Sequence, residues 1–512
     1  MTFWGEKMGI FEGLFFGFKS ILGDPYNLFF CFAGALIGTL VGVLPGIGPV
    51  GAMGILIPFT FHTTPLQSIV MLAGIYYGAM YGGSTTSILV RIPGEAASVI
   101  TCIDGYQMAL QGRAGPALGI AAIGSFIAGT IAVVALTLVS VPLASAALRF
   151  GPPEYFSLVC AGLFTFAYVG QGSTHKALMM CLAGIILAYI GLDPIYGSPR
   201  FASAIPELSD GIGLVPVAMG LFGISELLEN AEKLVEQKKD IFSKVRNIWP
   251  TAHDWMQSIW AILRGSVTGL CLGVLPGGGA VLSSFVSYSI EKKVSKTPER
   301  FGKGAIEGVA GPESANNSGA MGAMIPLLTL GIPPNVVMAV LFSAFLIHGV
   351  QPGPLLLANH PDVFWGILAS FYIGNIMLLI LNLPLIGMWV QILKIPYKLL
   401  FPILFILCLV GVYSVNHSTF DIYMMILFGI FGYVLKKYDY EGAPFILGFV
   451  LAPLLEDNFR QSLLMSDGNF MIFLNRPISC AVLIFVFVLL LFSLFAFFKR
   501  WRTEYEQFKE KE

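Results

Sequence analysis

Gly38-Thr-Leu-Val-Gly42-Val-Leu-Pro45-Gly46-Ile-Gly48-Pro49 stands in an almost uncharged apolar run, yet carries two prolines and four glycines. It returns as Gly269-Leu-Cys-Leu-Gly273-Val-Leu-Pro276-Gly277-Gly-Gly279, so GxxxGVLPGxG occurs twice, 231 positions apart (276 − 45). A cluster of helix breakers repeated in two segments of membrane grade implies a duplicated protein whose helices are interrupted at membrane depth.

The surrounding composition supports this. Of 512 residues, 56% are hydrophobic and 12% charged, against roughly 25% charged in a soluble domain. The fold class expected is an all-α polytopic membrane protein. It would hold two inverted-topology repeats with broken, re-entrant helices, plus one extra C-terminal transmembrane helix. The net charge of −1 gives no support for nucleic-acid binding. The seven cysteines are scattered singly, without a CxxC, and the six histidines are solitary. The cysteines therefore read as small hydrophobes and no metal site is expected. The start lacks a basic region, an uninterrupted apolar stretch and a small-residue cleavage site, so residues 1–24 read as an interfacial segment.

Polar stretches divide the rest. Repeat 1 covers 25–228, a cytoplasmic linker 229–258 and repeat 2 259–458. An outer loop at 459–477, an extra span at 478–498 and a basic tail at 499–512 follow. Other matches accompany the glycine motif. Ser84-Thr85-Thr86-Ser87 falls on Ala315-Asn316-Asn317-Ser318 at the same offset of 231 (315 − 84). Ile92-Pro93 matches Ile332-Pro333 at 240 (332 − 92), which requires a nine-residue insertion. Pro216, Gly220 and Glu229-Asn230 match Pro444, Gly448 and Asp457-Asn458 at 228 (444 − 216).

Positive charge marks cytoplasmic loops. With the tail's Lys499, Arg500 and Arg502 inside, Lys436-Lys437, Lys394–Lys398, the 229–257 linker and Arg113 also fall inside. The 349–362 and 193–210 loops fall outside. Matched loops carry opposite bias, so the halves read as inverted.

Inverted broken helices place a substrate site near the bilayer midplane, where half-helix N-termini offer N–H groups to an anion and bare carbonyls hold a cation. Gly42, Pro45, Gly46, Gly48, Gly273, Pro276, Gly277, Gly279, Pro93 and Pro333 would shape the breaks or present ion-binding backbone. Ser84, Thr85, Thr86, Ser87, Asn316, Asn317 and Ser318 supply neutral groups able to bind a carboxylate. A lone GxxxG is ordinarily a helix-packing face and a lone Ser/Thr cluster ordinarily bonds back to its own helix. The shared offset favours a site instead. Arg91 has three readings: substrate partner, partner of Glu95, or a side chain reaching the membrane surface from a helix end. Glu313 is either an ion-coupling group or a helix-start cap.

These motifs carry a resemblance. The doubled LPGxG, the run GGSTTSILVRIPGEAASVITCIDGYQMALQGRAG from Gly82 and the run PESANNSGAMGAMIPLLTLGIP from Pro312 resemble the large membrane subunit of tripartite tricarboxylate transporters, the TctA family. The likeness extends to about Asn475. Arg91 stands where that family more often has a neutral amide, and Pro333-Pro334 where it more often has Pro-Gly. The resemblance implies secondary active uptake of a small di- or tricarboxylate across a bacterial inner membrane, driven by an Na⁺ or H⁺ gradient, with no other cofactor. It implies two partners, a small TctB-like membrane subunit and a periplasmic TctC-like solute-binding protein. It also implies a cytoplasmic C-terminus. An exporter or channel for carboxylates or other small anions on the same fold is the alternative. An intramembrane enzyme is a distant one, since Ser84 has no matching histidine pattern and no Asp pair lies within the apolar spans.

Overall fold

The structure, a computed structural model, describes residues 9–44, 48–169, 173–193, 196–202, 205–233, 247–392 and 397–491. Pro45 and Gly46, residues 234–246 of the cytoplasmic linker and the basic tail lie outside the described residues.

The first half opens with α1 (Ile10–Gly23), α2 (Pro25–Val43), α3 (Gly48–Thr60) and α4 (Pro65–Val90). A 3₁₀ turn at Ala96–Val99 leads to α5 (Thr101–Leu110), α6 (Ala114–Ala147), α7 (Pro152–Val169) and α8 (Thr174–Ala188). A two-stranded hairpin, Gly191–Leu192 with Pro199–Arg200, precedes α9 (Leu214–Ala218). A π-helical turn at Met219–Ile224 joins α9 to α10 (Ser225–Lys233).

The second half begins with α11 (Ala252–Val274), α12 (Gly279–Val294), α13 (Glu307–Gly322), α14 (Met324–Leu330) and α15 (Val336–Ile347). It continues with α16 (Leu356–Asn359), α17 (Pro361–Asn382), α18 (Ile386–Ile392), α19 (Tyr397–Asn416), α20 (Thr419–Lys437) and α21 (Gly442–Met465). Among the described residues four helices, α2, α6, α17 and α20, are long and apolar enough to cross a membrane by themselves. Shorter apolar helices, including Pro477–Leu491 in the extra C-terminal segment, accompany them. The chain is an all-α polytopic membrane protein.

The two motifs end helices as their breakers require. α2 stops at Leu44 and α3 starts at Gly48 with φ +61°. α11 stops at Leu275, and Gly277 and Gly279 take φ +78° and +50° before α12. Those values fall in the left-handed region, where a Cβ is costly. By contrast α4 runs unbroken through Gly82-Gly83 and the Ser/Thr cluster to Arg91.

Glycines set the helix contacts. A Cβ on Gly34, Gly38 or Gly42 of α2 would strike the carbonyls of Met71, Ile75 and Ala79 on α4. A Cβ on Gly265, Gly269 or Gly273 of α11 would strike those of Gly311, Ala315 and Gly319 on α13. The first helices of these pairs are related by 231 (265 − 34), the second by 240 (311 − 71). The nine-residue insertion therefore lies ahead of α13, in the basic loop after α12. This corrects the expected equivalence of the Ser/Thr and Asn clusters. The helical counterpart of Asn316 is Tyr76 (316 − 76 = 240), and that of Ser84 is Met324 (324 − 84 = 240). The clusters are staggered by nine residues, about 13 Å of helix.

Gly13 packs on the Trp365 ring and Gly17 on the Trp365 carbonyl and Ala369, one turn further along α17. The glycines of α1 thus let its backbone meet that of α17.

The chain forms two compact units, 1–147 with 212–438 and 148–211 with 439–512. Each draws on both sequence halves. In the second unit α8 packs on α21, where a Cβ on Gly448 would strike the Cys181 carbonyl. In the first, Gly220, the sequence partner of Gly448 (448 − 220 = 228), faces Met425 of α20. Each half thus gives its last helix to the preceding helix of the other. The second unit also holds a closed ion network, in which Arg200 and Arg460 both contact Asp193 and Glu456. This ties the hairpin to α21.

Candidate functional site

α4 owes its position to its start and its sides. Thr64 and Gln67 form a reciprocal capping box, with Thr64 Oγ1 accepting from the Gln67 amide at 3.3 Å and Gln67 Oε1 from the Thr64 amide at 3.2 Å. Beyond that cap nearly every side chain to Leu89 is buried, as befits a helix apolar on all faces. Its C-terminal turn carries Ser84, Thr85, Thr86 and Ser87, each at most 5% exposed. α13 is buried throughout from Gly308, including Glu313 at 0%.

The two helices meet at one carboxylate. Ser84 Oγ donates to Glu313 Oε2 at 2.5 Å, and Thr101 Oγ1 of α5 donates to Glu313 Oε1. One turn along, Asn317 Nδ2 donates to Ser125 Oγ of α6 at 2.7 Å and to the Glu313 carbonyl at 3.1 Å. Asn316 Nδ2 reaches Glu95 Oε1 at 3.2 Å, in the loop between α4 and α5. The hydrogen bonds of both carboxylates run to neutral groups, the second oxygen of Glu95 accepting from the Ala97 amide at 2.8 Å. The Oδ1 atoms of Asn316, Asn317 and Asn382 are buried without a partner. Beside the cluster lies a cleft of about 10 Å³, lined in part by Tyr81, Ser84, Thr85, Ser125 and Asn382. That is the space of about one water molecule, so the site is closed in this conformation.

The remaining expected residues divide. Thr85 lines the cleft. Thr86 Oγ1 bonds the Gly83 carbonyl at 3.2 Å and the Gly42 carbonyl at 3.4 Å. Ser87 bonds Ser98 at 3.0 Å, and Ser318 the Ser266 carbonyl at 2.6 Å. These three brace helices and the loop. Arg91 is exposed, its guanidinium 5.9 Å from the Tyr106 ring centroid, and stands apart from the cluster. Gly94 packs on the Gly42 carbonyl, and the Gly277 amide donates to the Pro334 carbonyl at 3.0 Å. So a broken helix end abuts the Ile-Pro loop of its own half, the loop that carries Pro93 in the first half and Pro333 in the second. Pro276 lies in the turn between α11 and α12. Among the described residues no group of three His, Cys, Asp or Glu side chains is placed to hold a metal ion.

Thr101, Ser125 and Asp104 were not singled out by the sequence. Asp104 is fully buried on α5, and its Oδ1 accepts from the amides of Gly302, Gly304 and Ala305 at 2.9, 2.8 and 2.9 Å. Tyr288 donates to its Oδ2 at 2.8 Å. Asp104 sits three residues from Thr101, hence on the same helix face. It clamps α5 to the loop leading into α13 and so sets Thr101 against Glu313. A small polar residue in an apolar run was its only signal.

Broken helices packed around a buried acid, hydroxyl and amide cluster are the arrangement expected of a membrane transporter. The tripartite tricarboxylate transporter TctA family matches residues 28–447, and the chain belongs to that family. It is 49% identical over 476 residues to an uncharacterized 52.8 kDa protein in the TAR-I ttuC' 3' region of Agrobacterium vitis, covering 93% of this chain and 94% of that one. It is 55% identical over 215 residues to an uncharacterized protein in the TAR-II ttuC' 3' region of the same organism, covering 42% of this chain and 89% of the other. No solved structure matches.

Proposed function

We propose that the chain is the large membrane subunit of a cation-driven uptake system for a small di- or tricarboxylate. It works with a TctB-like small subunit in a bacterial inner membrane, with the C-terminus inside. A TctC-like periplasmic protein delivers the substrate. The observation that carries this reading is the Glu313 cluster, where two hydroxyls of the first half, Ser84 and Thr101, donate to a buried carboxylate of the second half that has only neutral hydrogen-bond partners. A carboxylate substrate brought beside Glu313 and Glu95 adds negative charge to a buried site, which is costly unless a cation enters too. Co-transport of Na⁺ or H⁺ supplies that cation. Ser84, Thr85, Asn316 and Asn317 then bind the substrate, and the unpaired amide oxygens accept from its hydroxyl groups or ligate the cation.

The test is uptake of labelled carboxylate into vesicles holding both membrane subunits, with the binding protein outside and the Na⁺ and proton gradients varied separately. Accumulation that follows one gradient and needs no ATP supports the reading. Equilibration without accumulation under both gradients contradicts it.

A further inference from the structure

The loops after α4 and α14 are built alike. Arg91 and Gly331 (331 − 91 = 240) close those segments in the left-handed region, at φ 59° and 70°. Four residues on, Glu95 and Asn335 (335 − 95 = 240) cap the next helices from φ −150°. Glu95 accepts from the Ala97 amide at 2.8 Å and Asn335 from the Met338 amide at 3.0 Å. Each cap is also met by one side chain from the opposite half. Asn316 of α13 bonds Glu95, and Tyr76 of α4 lies against Asn335. Tyr76 and Asn316 are themselves helical counterparts, so the repeat maps one contact onto the other. The matched pair differs in that one cap is an acid and the other an amide.

Resting on the carrier reading above, we propose that Glu95 is the residue through which the co-transported monovalent cation acts, and that Asn335 is its charge-invariant twin. Neutralising Glu95 changes how the first loop is held on α13, while the second loop is indifferent to cations. Asn316 suits both states. Its Nδ2 donates to the ionised carboxylate, and its unpartnered Oδ1, on a side chain with no exposure, accepts from a protonated one or ligates Na⁺. The Glu95 stem lies against α4, where a Cβ on Gly83 would sit 2.9 Å from Glu95 Cγ. The groups around it leave the charge uncompensated. α13 presents Glu313 and α4 presents Tyr76, while the Cys102 thiol of α5 is taken up by the Ser98 carbonyl. On α12, Tyr288 is held by Asp104 and Glu291 by Arg264, with Lys292 and Lys293 in the final turn. Arg91, on the loop itself, stacks on Tyr106.

The experiment is substrate exchange and accumulation in vesicles carrying the complete complex, across pH and Na⁺ series, for the parent, Glu95→Gln, Glu95→Asp and Tyr76→Phe. In Glu95→Gln the cation dependence of exchange falls from about tenfold or more to under about twofold, and uphill accumulation is lost. Tyr76→Phe, which removes the twin contact without touching charge, keeps that dependence whatever its rate. Loss of the Na⁺ response alone assigns a metal cation, and loss of the pH response alone a proton. Glu95→Gln retaining both responses overturns the proposal, as does Tyr76→Phe losing them. If Glu95→Gln fails to reach the membrane, Glu95→Asp decides. A shifted Na⁺ half-saturation or pH midpoint supports the proposal, and unchanged values overturn it. A parent complex that moves no carboxylate fails the carrier reading instead.

Discussion

Ser84 of α4 and Glu313 of α13 are joined by a 2.5 Å hydrogen bond across 229 residues of sequence, from one half of the duplicated chain to the other. Glu313 takes a second such bond from Thr101. The carboxylate is therefore the node at which three helices are fixed.

Glu313→Ala leaves two buried hydroxyls without their acceptor, at about 1–3 kcal/mol each. Glu313→Gln keeps one acceptor oxygen and most of the packing. Thermal unfolding of the purified protein in detergent is expected to rank parent, then Gln, then Ala. Both variants are expected to lose gradient-driven uptake. Equal stability of all three would show that Glu313 holds nothing in place.

Gly273→Ala places a methyl on the Gly319 carbonyl, and Gly42→Ala does the same at Ala79. Overpacking of this kind costs about 1–3 kcal/mol. A methyl on Gly23 meets nothing within 4 Å, so Gly23→Ala is expected to stay within about 0.5 kcal/mol of the parent. The difference in unfolding temperature between these variants checks the helix register directly.

Asp254 caps α11 and pairs with Arg113. Burial alone would raise its pKa. Hydrogen bonds from the Thr251 amide and hydroxyl and from Arg113 outweigh burial and hold it below the usual carboxylate range. A depressed folded pKa means the added stability is present above the unfolded value near 4 and is lost as pH falls through the folded one. Asp254→Asn is expected to be less stable by about 1 kcal/mol at pH 7, with the gap closing on acidification below about pH 4. A gap that does not change with pH would contradict this account of the cap.

Inverted topology places the 349–362 loop outside and Lys436-Lys437 inside. Single cysteines introduced in each, labelled with a membrane-impermeant maleimide in intact cells, are expected to react at the first position only. Equal labelling at both would place them on one side and remove the inversion.

The broken helices were legible because proline and glycine act locally. Gly48, Gly277 and Gly279 adopt the left-handed values that such a motif requires. The pairing of helices was less accessible. Counting from Pro45 to Pro276 yields 231, and the two polar clusters agree with it by coincidence, whereas the backbone contacts of α4 and α13 need 240. An insertion in a loop leaves no mark on composition, so only packing shows where it lies. The exchange of final helices between halves was hidden for the same reason. At the site, Ser84, Asn316 and Asn317 were visible as polar residues in membrane-grade sequence. Thr101 and Ser125 were not, since a lone hydroxyl in a helix ordinarily bonds its own backbone. Arg91 drew attention through its charge, and the fold sets it at the left-handed end of α4, exposed and over the Tyr106 ring.

The most direct measurement is binding-protein-dependent carboxylate uptake by vesicles carrying Asn317→Ala, matched to the parent for protein in the membrane. Asn317 bridges Ser125 and the Glu313 carbonyl and presents an unpaired oxygen beside them. The account predicts that uptake falls about tenfold or more, a loss of at least about 1.4 kcal/mol of binding or coupling. Uptake equal to that of the parent would contradict the placement of the transport site between α4 and α13.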